Sequence, residues 1–342
     1  IGDGAFYGCS QLTSITIPSS VTCIGNSVFT RCSSMTQIVI PGSVQAIKND
    51  CFLGCSKLAK ITMDPYQTNL EQNTFDECDL LINLTFDSSV ESVKKYDFGK
   101  FPNLTTIVIP SSAKSIEDNA FEDCSALTSI TIPASVKTIG NSSFKGCSSF
   151  TQIGLPSSLT FIGERCFESC SSLTSMTIPN TVTEINDRTF YCCSSLKQVT
   201  LPTALTSLGN AVFYNCSELA QIAIPVNVQC IHNDTFTGCT SLAQLTIDPY
   251  KTQIEDQTFA GCSFLKTFVF ASSVTAVQQY DFKEFPNLAA ITIPGQSRSI
   301  AKKAFLNCQS VTSISVPRSM GSIDNYAFSG CTSLKSISLF IE

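Results

Sequence analysis

A single 23-residue pattern recurs fifteen times along this chain without an insertion or deletion. Written from Ile1 it reads Ile-Gly-x-x-Ala-Phe-x-x-Cys-Ser-x-Leu-Thr-x-Ile-Thr-Ile-Pro-x-Ser-Val-x-x. Successive units open at Ile24, Ile47, Leu70, Val93, Ile116, Ile139, Ile162, Ile185, Leu208, Ile231, Ile254, Val277, Ile300 and Ile323, and the fifteenth is clipped. A fixed period of this length builds a solenoid in which each unit packs only on its neighbours. It overrides the two-domain default for a chain of 342 residues and predicts one elongated domain over residues 1–342 with no linker. The chain starts and stops inside the pattern, which reads as a fragment or a processed form with truncated ends.

Within a unit, Leu12 to Ile17 reads Leu-x-x-Ile-x-Ile, the apolar spacing of a leucine-rich-repeat core. The alternation over Ser14–Ile17, rich in β-branched residues, predicts a strand, which Pro18 ends. Ile24 to Phe29 is too short for a self-supporting helix and predicts one helical or 3-10 turn. The expected architecture is a leucine-rich-repeat solenoid. It is a curved array of fifteen units with one continuous parallel sheet on the concave face and the turns on the other. At the spacing of parallel strands, fifteen rungs span about 70 Å.

Two residues recur at fixed heights. Phe6 has a counterpart in every unit, from Phe29 to Phe328, which predicts a buried stack of rings. Thirteen of the eighteen cysteines share the position of Cys9, and neighbouring rungs hold such side chains parallel at rung spacing, too far apart for a disulfide. Buried free thiols are therefore expected. A line of thiols also fails the tetrahedral convergence that zinc needs, so no metal or cofactor is expected. His232 lies near Cys230, with no ligand spacing around it.

The signature Ile-Gly-x-x-Ala-Phe-x-x-Cys-x-x-Leu-x-x-Ile-x-Ile-Pro-x-x-Val resembles the BspA-like class of leucine-rich repeats, over the whole chain and in one register. The resemblance implies a secreted or surface-exposed adhesin of a mucosal bacterium or protist. Such a protein binds host matrix or other cells and carries no catalytic residues. Extracellular-matrix or cell-surface proteins, and glycans, are the implied partners. An intracellular protein-interaction scaffold of the same fold is the alternative, and the many free thiols suit it. With a net charge of −6 and only 14% charged residues there is no basic footprint for nucleic acid, and no apolar run suggests insertion into a membrane.

A longer period overlies the short one. Asp64-Pro65-Tyr66, Tyr96-Asp97-Phe98 and Phe101-Pro102-Asn103-Leu104 reappear 184 residues later as Asp248-Pro249-Tyr250, Tyr280-Asp281-Phe282 and Phe285-Pro286-Asn287-Leu288. This reads as duplication of an eight-unit block, which would set the two irregular zones about 40 Å apart along the sheet. In each zone an Asp replaces the strand-ending Pro, a polar residue (Gln67 or Lys251) replaces the interior Val, and a Phe replaces the ladder Cys. Tyr66 and Tyr250 either swing in to fill the vacated interior or stand out as contacts. Elsewhere the outward strand positions are mostly Ser, Thr and Gln, which offer little binding energy per residue. Asp64, Tyr66, Tyr96, Asp248, Tyr250 and Tyr280 are therefore the candidate binding residues, tyrosine being the likeliest anchor type present.

Overall fold

The computed structural model describes residues 1–255, 257–282 and 285–339. The chain divides into two compact units, Ile1–Cys170 and Ser171–Glu342. In each, parallel strands pair with partners one repeat away, as Gln37 does with Lys60 and Ser175 with Gln198. In the first unit the Ser-x-Thr positions form a five-stranded ladder, Gln37–Val39, Lys60–Met63, Asn83–Phe86, Thr106–Val108 and Ser129–Thr131. The second unit pairs Ser175–Thr177 with Gln198–Thr200 and has a six-stranded run from Gln221–Ala223 to Ser336–Leu339. The central residue of each strand points inward, as Ile38 and Ile61 do, while Gln37 and Lys60 face out.

The expected continuity over fifteen rungs does not hold. Ser14–Thr16 and Gln152–Gly154 form no strand. At the latter, Gly154 stands where every other unit carries Thr, Val, Ser or Ala, and a glycine has no side chain to pack across the ladder and more backbone entropy to lose.

A second ladder runs where no strand was expected. Two-residue strands such as Cys23–Ile24, Ala46–Ile47 and Asn69–Leu70 pair from rung to rung, and in these the Ile or Leu that opens the unit is the inward residue. The following segment is not helical. Among the described residues the one helix is a single 3-10 turn, Phe98–Lys100. The fourth and eighth residues of the unit are instead left-handed, as at Ser27 (φ 53°) and Arg31 (φ 59°), and left-handed residues recurring at this interval interrupt a right-handed helix. The backbone bonds across rungs: the N–H groups of Ser27, Phe29 and Arg31 donate to the carbonyls of Asn49, Cys51 and Leu53.

Between the ladders and these turns lies the phenylalanine stack. Phe6, Phe29, Phe52 and Phe75 are parallel with centroids 5.3–5.5 Å apart, as are Phe190, Phe213, Phe236 and Phe259 at 5.3–5.6 Å. Eleven of the fifteen rings are buried; Phe6, Phe98, Phe259 and Phe328 are half-buried. Phe6 and Phe328 have a ring neighbour on one side only, and Phe98 and Phe259 lie within the irregular zones. The ladder thiols satisfy main-chain carbonyls of the preceding rung. The Sγ–H of Cys55 donates to the carbonyl of Phe29 (3.1 Å), and that of Cys239 donates to the carbonyl of Phe213 (3.1 Å). Each of these carbonyls also accepts the backbone N–H of its own rung's cysteine, Cys32 or Cys216, so the thiol supplies a second donor.

Candidate functional site

The two irregular zones lie one in each compact unit. Asp64 is only 3% exposed. Its Oδ1 accepts the Tyr66 N–H (2.9 Å), and its Oδ2 accepts the Ser89 hydroxyl (2.8 Å) and the Gln67 side-chain amide (3.0 Å), a turn built by the carboxylate itself. Asp248, also 3% exposed, repeats this with the Tyr250 N–H (3.2 Å) and the Ser273 hydroxyl (2.6 Å). The interior place of the missing Val is filled by neither tyrosine. The shifted Pro turns Thr68 and Thr252 inward, and their hydroxyls donate to the carbonyls of Val44 (2.9 Å) and Val228 (2.8 Å).

Tyr66 instead repairs a break in the second ladder. On regular rungs the N–H of the second residue donates to the carbonyl of the first residue one rung back, as Glu71 does to Ile47. Asn69–Leu70 does not pair with Ser92–Val93. There the Tyr66 hydroxyl accepts the Lys94 N–H (2.8 Å) and donates to the Lys94 carbonyl (2.9 Å), while the Lys100 ammonium caps the Leu70 carbonyl (3.1 Å). Tyr250 treats Gln278 in the same way, at 2.8 and 2.9 Å. Burial raises both phenols above the ordinary tyrosine range.

Beside this repair the aromatic stack doubles. Phe101, standing where a Cys would be, stacks on Phe75 (5.1 Å), while Phe98 stacks on Phe121 (5.4 Å). In the second zone Phe282 stacks on Phe305 (6.0 Å), while Phe285 meets Phe259 at 5.3 Å with its ring tilted by 54°. Two rings now share one rung, and a cleft opens next to them. The first, about 520 Å³, is lined by Tyr96, Asp97, Phe98, Phe101, Leu104 and Leu127 together with Lys95, Glu122 and Asp123. The second, about 710 Å³, is lined by Tyr280, Asp281, Phe282, Phe285, Leu288 and Val311, each 184 residues on from its counterpart. Asp97 accepts the Gly99 N–H (3.0 Å), and Glu122 pairs with Lys95 (3.1 Å) and Lys145 (3.4 Å). The Tyr96 hydroxyl is buried without a hydrogen-bond partner, and burial, with the Asp97 charge adding, pushes its pKa up to about 12.

Of the six candidate residues, Tyr96 and Tyr280 line the clefts. Tyr66 stands behind the first, its ring edge-on to Tyr96 at 6.2 Å, and Asp64 and Asp248 are buried turn-formers. The sequence pattern gives no sign of the cleft walls formed by Leu104, Leu127, Leu288 and Val311, because those residues obey the repeat and only the doubled Phe uncovers them. Nor does it mark a stacked pair in the second unit: Tyr191 and Tyr214 lie 4.8 Å apart, with the Arg188 guanidinium 5.5 Å over Tyr191.

The family model of the BspA-type leucine-rich repeat region matches residues 1–127, 114–243 and 229–341. The chain belongs to the BspA-type leucine-rich repeat family. Among solved structures, a leucine-rich repeat protein of Bacteroides ovatus is 27% identical, with a TM-score of 0.53, covering 93% of this chain and 82% of its own. A leucine-rich cell surface protein of Faecalibacterium prausnitzii is 27% identical over 73% of this chain and 83% of its own, at a TM-score of 0.38. The pneumococcal vaccine antigen PcpA is 19% identical over 89% and 82%, at 0.37. No curated protein sequence matches. Leucine-rich repeat solenoids of this family are in general protein-binding scaffolds. No helix among the described residues is long and apolar enough to cross a membrane.

Proposed function

We propose that this chain is a non-enzymatic recognition module of the cell surface or extracellular space, binding a matrix or cell-surface protein through its two clefts. The duplicated cleft is the observation that carries the reading. Ordinary rungs present mostly Ser, Thr and Gln, which hold water as readily as a ligand. The clefts present apolar walls, a tyrosine and a carboxylate, the mixture of a few polar groups in an apolar concavity that typifies binding sites. Each has room for a large apolar side chain of a partner, with the Asp97 carboxylate lining the first. The same site twice in one chain suits a multivalent or repetitive ligand. Most thiols are buried, and a buried protonated thiol resists oxidation, so they are compatible with an extracellular setting.

The test fills the clefts. Ala126 lines the first and Ser310 the second, and both are exposed, so Ala126→Trp and Ser310→Trp occupy the cavities without touching the core. Binding to a panel of matrix proteins and to host cells should weaken at least ~10-fold with either change and further with both. A doubly filled chain that remains folded and binds like the parent would place the contact surface elsewhere.

A further inference from the structure

We propose that Cys230, His232 and Glu255 form a zinc site on the second ladder of the Ser171–Glu342 unit. Cys230 and His232 are alternate residues on one extended rung, so their side chains leave the same face. Glu255 holds the place of His232 on the next rung, 23 residues on. The Cys230 Sγ lies 3.8 Å from the His232 Nδ1 and 3.8 Å from the Glu255 Oε1, and the Nδ1 lies 3.1 Å from the Oε1. Zinc binds nitrogen and oxygen at roughly 2.0–2.2 Å and sulfur at about 2.3 Å in a tetrahedron. That geometry separates N from O by about 3.3 Å and S from either by about 3.5 Å. The three donors therefore already span one face of the coordination tetrahedron to within a few tenths of an ångström.

Three features favour a site over a plain His–Glu pair. The donors are mixed sulfur, nitrogen and oxygen, a set that suits zinc among the divalent ions. The second carboxylate oxygen of Glu255 accepts the Asn233 N–H (3.0 Å), which orients the other oxygen toward Cys230 and His232 in the manner of an outer-shell bond. The side chains of His232 and Glu255 are 36% and 31% exposed, so an ion enters from solvent and keeps a fourth position for water. On coordination the thiol proton passes to solvent, and the imidazole binds through Nδ1. The repeat supplies its own control: Cys23 occupies the position of Cys230, with Gly25 and Lys48 in place of the histidine and the glutamate. The site is independent of the cleft-binding reading.

Cobalt(II) is the probe, added to the full chain held reduced by a phosphine. One equivalent should give tetrahedral d–d bands and a near-ultraviolet thiolate-to-cobalt charge-transfer band, and zinc should bleach both. Cys230→Ser should abolish the charge-transfer band, while Cys23→Ser should leave it intact. Outer-shell partners alone are worth about 10–100-fold in affinity, so His232→Ala and Glu255→Gln should each weaken zinc binding by at least ~10-fold. All four positions are at the surface or half-buried, and circular dichroism verifies that the variants stay folded. Absence of the band, its persistence in Cys230→Ser, or zinc affinity unmoved by the His232 and Glu255 changes would each overturn the assignment.

Discussion

Raising the pH should unfold this protein from inside its core. Burial pushes the thiols of Cys51, Cys78 and Cys170, all in the first compact unit, from the ordinary 9.0 up to about 12. A thiol is neutral below its pKa, so the folded state holds these protons more tightly than the unfolded chain does. Stability is thus fully present below about pH 9 and is lost as the pH rises toward 12. One pH unit past 9 costs about 1.4 kcal/mol per thiol, so these three remove roughly 4 kcal/mol at pH 10. That is a large part of the 5–15 kcal/mol that holds a typical domain together. Cys55, Cys147 and Cys166 of the same unit shift in the same direction and add to the loss. Guanidinium unfolding followed by circular dichroism, at half-unit steps from pH 8 to 10.5 in reductant, measures the decline. Cys51→Ala isolates one contribution, because other units carry a buried Ala at this place, as at Ala120 and Ala304. Its stability should fall by about 1.4 kcal/mol less than the parent's between pH 8 and 10. A parent whose stability is flat over this range, or a Cys51→Ala chain that declines as steeply as the parent, would refute the argument.

Phe144 is fully buried between Phe121 and Phe167, and Phe144→Ala should cost about 3–5 kcal/mol in denaturant unfolding. Gly140→Ala drives a methyl against the Asp118 carboxylate and to 2.6 Å from the Asp118 backbone nitrogen, for a loss of about 1–3 kcal/mol. Gly2→Ala meets nothing within 4 Å and should be near neutral in the same assay. Tyr66→Phe removes the hydroxyl that holds both backbone groups of Lys94; it should cost about 1 kcal/mol and speed hydrogen exchange at the Lys94 amide, because water then competes for the broken rung.

The period, the apolar spacing and the invariant Phe position were enough to establish a solenoid with a parallel ladder, an aromatic stack and inward-facing thiols. These features depend on one residue's preference repeated at a constant interval, and each copy reinforces the next. The duplicated irregular zones were visible too, because a break in a pattern is as plain as the pattern. What those breaks do was not. Tyr66 bonds Lys94 across 28 residues, the Asp64 carboxylate reaches Ser89 across 25, and the clefts exist because Phe101 and Phe98 crowd one rung. The second ladder, the left-handed turns and the meeting of Cys230 and His232 with Glu255 have the same origin. Their partners sit one full repeat away, where stacking rather than local sequence chooses the neighbour. A 23-residue interval between a histidine and a glutamate means nothing along the chain. It becomes 3.1 Å once each turn of the solenoid rests on the last.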